Sequence, residues 1–210
     1  MRLRPLSLPA VFLLSFAVIG TVALVQFSIP VVRYFRYAPQ RGDIVVQALP
    51  QSALVTAIEG CTQSHYSHCG IIAQKEGKWV VVEAIGPVKE TALLTWIRQG
   101  RDSRFEAYRL KPAYRCSITP FIAFARAYTN LPYDVKYEMD DEKIYCSELI
   151  YKAFMQATHE EICSLVRLGD LNWKPYEQTI RYFEKGSPPL DRKIVTPVGI
   201  VESEKVEQVY

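Results

Sequence analysis

The chain has 210 residues, 49% of them apolar and 22% charged, which is material for one well-buried domain rather than two. The formal charge of +3 is an N-terminal feature, because the first 40 residues carry Arg2, Arg4, Arg33 and Arg36 and no acid, while the rest is close to neutral. A near-neutral globular part without a Lys/Arg cluster excludes the electrostatic footprint of a nucleic-acid-binding protein.

In chain order, Pro5 to Val32 has no charge, and Ala10 to Ile29 would rise about 30 Å as a helix, the thickness of a bilayer core. Residues 1–33 therefore read as a single N-terminal transmembrane helix, in contact with lipid over residues 8–32. Residues 34–41 read as a linker and residues 42–210 as the globular domain. A cleaved signal peptide is the rival, against which stand the length of the apolar run and the lack of an Ala-x-Ala site. Arg2 and Arg4 on one side oppose Arg33, Arg36 and Arg41 on the other, so the positive-inside rule leaves orientation open. An extracytoplasmic domain on an inner membrane is expected by analogy with other anchored hydrolases.

Gly42-Asp43 starts a strand-length apolar run, Ile44 to Ala48, and Pro50 begins a helix to Glu59. Ser67 to Gln74 and Lys78 to Ile85 form a hairpin around Lys75-Glu76-Gly77-Lys78. A helix from Thr91 to Arg98 and a strand from Phe105 to Leu110 follow. Ser117 to Tyr128 reads as a helix, with Ser117 as N-cap and Pro120 in its first turn. A loop rich in Tyr, Asp and Glu, Asn130 to Ile144, leads into the helix Cys146 to Ala157. Residues 158–185 read as helical or irregular, and Ile194 to Val201 as a strand broken by Pro197. Strands grouped early among helices argue for an α+β fold, a small antiparallel sheet packed on helices.

Five cysteines, Cys61, Cys69, Cys116, Cys146 and Cys163, form an odd set without Cys-x-x-Cys spacing, which indicates neither a zinc site nor a disulfide framework. No metal or cofactor is expected. A cysteine attacks as its thiolate, and a free thiol of pKa near 8.5 is only partly ionised at neutral pH. Cys146 opens a helix, where unpaired N–H groups and the macrodipole favour an anion. The hairpin supplies a base, since pairing Gln74 with Trp79 sets Glu83 opposite Gly70 and diagonal to His68 on the same face. Imidazole and carboxylate can then bond across the space that glycine leaves empty, provided that the register does not slip by one residue. His65 has the opposite parity and points away.

These residues carry a resemblance. Gly42-Asp43-Ile44 with Gln47, Tyr66-Ser67-His68 before Gly70, and Glu83-Ala84 leading into Gly86-Pro87-Val88-Lys89 resemble the permuted papain-like amidases called YiiX-like, relatives of the NlpC-type cell-wall peptidases. Thr91, Leu93, Trp96-Ile97, Pro132-Tyr133-Asp134 and Tyr145-Cys146-Ser147-Glu148 continue the match, which covers most of residues 42–148. The resemblance implies a permuted papain-like fold, with cysteine, base and acid at Cys146, His68 and Glu83. It further implies hydrolysis of an amide in a small peptide, for instance a cell-wall fragment, through a thioester.

Around that triad, Tyr66, Tyr133 and Asp134 are candidates for the oxyanion or substrate site. Ordinary strand packing competes for Tyr66, and a plain turn competes for Tyr133 and Asp134. Asp140-Asp141-Glu142 reads as a solvated acidic loop. Cys69 departs from the family pattern, and Cys61 lies eight residues upstream, which leaves a local disulfide or redox response open. Beyond Ala157 the likeness fades. Two alternatives stand beside the amidase: a lipid acyltransferase or phospholipase of the same clan, which requires an apolar acyl tunnel, and a membrane-tethered module that binds peptide without catalysis.

Overall fold

The structure is a computed structural model that describes residues 28–210. It divides into two units, residues 1–37 and 38–210. In the first, residues 28–36 are helical, with Val32 and Phe35 exposed. The expected membrane span, residues 8–32, falls outside the described residues except for its last five. No helix among the described residues is long and apolar enough to cross a membrane.

The second unit is built on six strands: β1 Ile44–Gln47, β2 His68–Lys75, β3 Lys78–Ala84, β4 Val88–Ala92, β5 Glu106–Leu110 and β8 Val206–Gln208. Their order is β4-β3-β2-β1-β5-β8, and every pair is antiparallel. The β2–β3 hairpin has the anticipated register, with Gln74 opposite Trp79 and Gly70 opposite Glu83. Its turn is two residues, Glu76 and Gly77 at φ 50° and 76°, the primed geometry whose twist matches the flanking strands.

Helices α1 Ala53–Thr62, α2 Leu93–Gln99, α3 Ile118–Ala127 and α4 Cys146–Thr158 complete the frame. Ser52 caps α1, its hydroxyl accepting from the Val55 N–H at 3.2 Å. Helices α3 and α4 bury Phe121, Ile122, Leu149, Ile150 and Phe154 in one cluster with Ile44, Val46, Cys69, Ile71 and Val82 of the sheet. By strand alternation His68, Gly70 and Glu83 belong to the other face. There Trp96 of α2 is buried, its ring centroid 6.1 Å from that of His68.

The Gly42-Asp43 motif is structural. Gly42 sits at φ 84° where a Cβ would come within 2.8 Å of Ile118, and buried Asp43 takes Arg109 of β5 in a two-point ion pair at 2.7 and 2.9 Å.

Three details correct the sequence reading. Residues 88–92 are a strand, so the helix starts at Leu93 rather than Thr91. Ser117 is the last residue of a 3-10 turn with helical backbone and no capping bond, because that turn runs straight into α3. Residues 194–201 do not form one strand. A short β6–β7 ribbon, Val166–Arg167 with Lys193–Ile194, ends there, and Pro197 starts helix α6, Pro197–Val201. Thr196 caps that helix by accepting from the Gly199 N–H at 3.0 Å, and proline is at home in a first turn. Between the ribbon strands lies α5, Glu177–Glu184.

Candidate active site

Cys146 is the first residue of α4 and is buried. Glu148 in the same turn accepts from the Tyr145 N–H at 3.2 Å, which satisfies one helix-end donor. It is also buried, and burial raises its carboxyl to about 7 against the pull of Lys152, whose Nζ is 3.0 Å away. Its charge is thereby muted beside the cysteine.

His68 opens β2 and Glu83 stands near the end of β3, and both are buried. His68 Nε2 is 2.6 Å from Glu83 Oε2. The other carboxylate oxygen, Oε1, accepts from the Thr91 hydroxyl at 2.5 Å. Gly70 is obligatory here, since a Cβ would lie 2.4 Å from Val81 Cγ1 and 3.0 Å from the Val82 carbonyl oxygen. With Nε2 committed to the acid, Nδ1 is the nitrogen left for the sulfur, and Cys146 is near enough to raise the pKa of the ring.

The sulfur has a further neighbour. Register between β2 and β3 begins at Gly70, so the strands part at Cys69 and its N–H has no partner across that gap. Cys69 stands beside Cys146, and its N–H and its thiol both act to favour the Cys146 thiolate. Cys69 and His68 have opposite parity, yet they meet one sulfur because β2 begins at His68 and no strand upstream separates the two faces.

Ionisation follows from these contacts. The Cys69 thiol stabilises the Cys146 thiolate and burial opposes it, but the His68 bond and charge and the Cys69 N–H hold Cys146 well below its ordinary 9.0. Burial disfavours the His68 cation, but Cys146 and Glu83 outweigh it and raise the ring to about 9. Burial likewise opposes ionised Glu83, and His68, Thr91 and Lys89 hold it below the usual carboxylate range. Cys69 itself is driven well up by burial and stays a thiol. These directions all favour the charged forms, a thiolate, an imidazolium and a carboxylate. All five cysteines are free, so the Cys61–Cys69 disulfide left open by the sequence is absent.

The family model described as permuted papain-like amidase enzyme, YaeF/YiiX, C92 family, matches residues 38–210. The chain belongs to this family. It is thus a papain-like, cysteine-type amidase or peptidase in general class. Over 166 residues it is 30% identical to the uncharacterized protein YiiX of Escherichia coli K12, covering 79% of this chain and 76% of that one. A crystal structure of the metalloprotein YiiX from Escherichia coli O157:H7 superposes with a TM-score of 0.78 at 28% identity, covering 83% of this chain and 98% of that chain. No group of three or more His, Cys, Asp or Glu able to hold a metal is found among the described residues.

A pocket partly open to solvent has Cys146 in its lining. Its walls are apolar: Leu54 and Ile58 of α1, Leu168 and Leu171 beyond α4, Ile180 and Phe183 of α5. Ser67 lines it beside Cys146, but His68 does not.

The remaining candidates fall differently. Tyr66 corrects the sequence reading, because its hydroxyl donates to Glu106 at 2.7 Å, sits 3.4 Å from the Tyr108 hydroxyl, and is not part of the pocket. It is engaged elsewhere and is no free donor. Tyr133 is half-buried, with its hydroxyl 3.3 Å from that of Tyr137. Asp134 is buried and accepts from the backbone N–H groups of Lys136, at 2.9 Å, and Glu138. It organises the loop instead of facing a substrate.

Sequence reasoning passed over Thr91 as a site residue, along with Tyr137 and a role for Cys69. The first was legible as a β-branched hydroxyl residue inside the family motif. Tyr137 stands in an irregular loop whose course no periodicity reveals.

Proposed function

We propose that this protein hydrolyses an amide bond through Cys146, His68 and Glu83. The observation that supports it is the single continuous chain of contacts from a thiolate at a helix N-terminus, through the imidazole, to a buried carboxylate 2.6 Å beyond.

In this scheme the Cys146 thiolate attacks the carbonyl carbon, and the carbonyl electron pair moves to oxygen. The helix-terminal N–H of Cys146 receives that oxyanion. The His68 cation gives its proton to the departing amine, leaving a thioester on Cys146. Neutral His68 then takes a proton from water, the hydroxide displaces the sulfur, and an acid is released. Glu83 fixes the ring and balances its charge in both half-reactions. Small peptides or other small amides are the substrates of this reading.

A second reading has specific support: the pocket beside Cys146 has an apolar lining, as an acyl site of an acyltransferase or phospholipase of the same clan would need. We also propose that residues 8–32 anchor the protein in a membrane, with the domain on the extracytoplasmic side, which would keep that pocket close to lipid.

A thiol-directed fluorescent probe applied to the Cys146→Ala and Cys163→Ala proteins tests the nucleophile. Selective loss of labelling in Cys146→Ala is expected, and equal labelling of the two would remove the enzymatic reading. Release of primary amine from diamino-acid peptides, without fatty acid from phospholipid vesicles, supports the amidase. The opposite pattern assigns the lipid reaction.

A further inference from the structure

Tyr137 has no place in the scheme above, yet it shares the lining of the pocket with Cys146. Its ring packs on that of Tyr145, the residue before the nucleophile, at a centroid distance of 4.8 Å. Its backbone is at φ 60°, a left-handed conformation that a bulky side chain adopts at a cost and that persists only where the surroundings fix it.

The surroundings do fix it. Asp134 accepts from the N–H groups on either side of Tyr137, those of Lys136 and Glu138. Arg192 donates to the Lys136 carbonyl at 2.5 Å and pairs with Glu138 at 3.2 Å. Upstream, the Ile144 N–H donates to the Pro132 carbonyl at 2.9 Å and the Asp134 N–H to the Ile144 carbonyl at 3.2 Å, which ties the loop to the strand-like segment that leads into Cys146. Six polar ties thus hold the loop that carries this strained aromatic residue.

The hydroxyl's surroundings define what it can do. Its hydrogen-bond partner among the described residues is the Tyr133 hydroxyl at 3.3 Å. With Tyr133 as donor in that bond, the Tyr137 proton is free to point into the pocket. Burial, and after it the nearby thiolate, push Tyr137 above the usual phenol range, so it remains a neutral donor. Tyr66, the other candidate phenol, is committed to Glu106.

We propose that Tyr137 is a further catalytic residue, whose hydroxyl donates a hydrogen bond to the substrate's carbonyl oxygen as negative charge gathers there, with Tyr133 as its positioning residue. The proposal rests on the reading of Cys146 as nucleophile. As the S–C bond forms and the carbonyl π pair moves to oxygen, Tyr137 and the Cys146 N–H share that charge without transferring a proton. When the intermediate collapses, the pair returns to the carbonyl and both bonds weaken.

Two reactions of the same sulfur separate this role from a structural one. Acylation of Cys146 by p-nitrophenyl acetate passes through an oxyanion, whereas alkylation by iodoacetamide, a displacement at saturated carbon, does not. Both are followed on the full-length protein by mass spectrometry of the Cys146 peptide. For Tyr137→Phe, acylation is expected to slow by about 100-fold, while alkylation keeps its wild-type rate and pH profile. Tyr133→Phe should show a smaller loss in acylation alone. Acylation of Tyr137→Phe within about threefold of wild type, or a parallel loss of both reactions, overturns the proposal. A wild-type Cys146 inert to both reagents overturns the nucleophile reading and this proposal with it.

Discussion

Glu83 shows at the scale of one residue how the site and the fold constrain each other. A carboxylate buried at the end of the apolar strand Trp79-Val80-Val81-Val82 is costly unless every oxygen has a partner, and here His68 takes one oxygen and Thr91 the other. Glu83→Ala, which takes the carboxylate from the buried imidazolium, is expected to destabilise the protein by about 3–5 kcal/mol in urea unfolding. Thr91→Val keeps the volume and strips one charged hydrogen bond, with an expected cost of about 1.5–3 kcal/mol in the same measurement. Cys69→Ala removes the thiol that donates to Cys146, so the inflection in iodoacetamide reactivity should move up towards the ordinary 9.0. An unmoved inflection would show that Cys69 is only packing. The acid was legible from the sequence because an ionisable group in so apolar a run demands a partner. The Cys69 contact was not, because strand alternation assigns residues 68 and 69 to opposite faces and says nothing about where a strand begins.

At the scale of elements, the hairpin could be read in full because its two-residue turn fixes the register and the register fixes which side chains share a face. Strand β4 was missed because only Val88 and Thr91 of its five residues are buried, too faint an alternation to outweigh the helical run that follows. In the stretch 194–201, the apolar residues suggested a strand, but Thr196 and Pro197 together make a helix start. Thr196→Ala removes that cap and should lower stability by about 1 kcal/mol, seen as a lower thermal midpoint. The loop 134–138 depends comparably on Asp134. Asp134→Ala deprives two backbone N–H groups of their acceptor, with an expected loss of about 1–3 kcal/mol and faster hydrogen exchange at Lys136 and Glu138.

For the whole molecule, the ion set fixes a working range of pH. His68 has its folded pKa raised from 6.5 to about 9, so its stabilising contribution is complete below 6.5 and disappears as pH rises through about 9. Cys146 and Glu83 are depressed acids, whose contributions are present above their unfolded values and vanish as pH falls through the folded ones. Cys146 should therefore alkylate rapidly through the neutral range, and amide turnover should fall above pH about 9, where His68 has no proton to give the amine. A turnover profile that keeps rising beyond that value would exclude His68 as the acid. The motifs that carry the family resemblance end at Glu148, and the apolar wall contributed by Leu168, Leu171, Ile180 and Phe183 lies wholly beyond it. That wall was invisible in the sequence because its residues come from two turns and one short helix, none with a sustained period.

The permuted order has one more consequence. A ribosome releases the hairpin with His68 and Glu83 first, Cys146 some sixty residues later, and the greasy lining last of all. The groups proposed to react are thus all synthesised before the wall that would shelter them, which comes from the final quarter of the polypeptide.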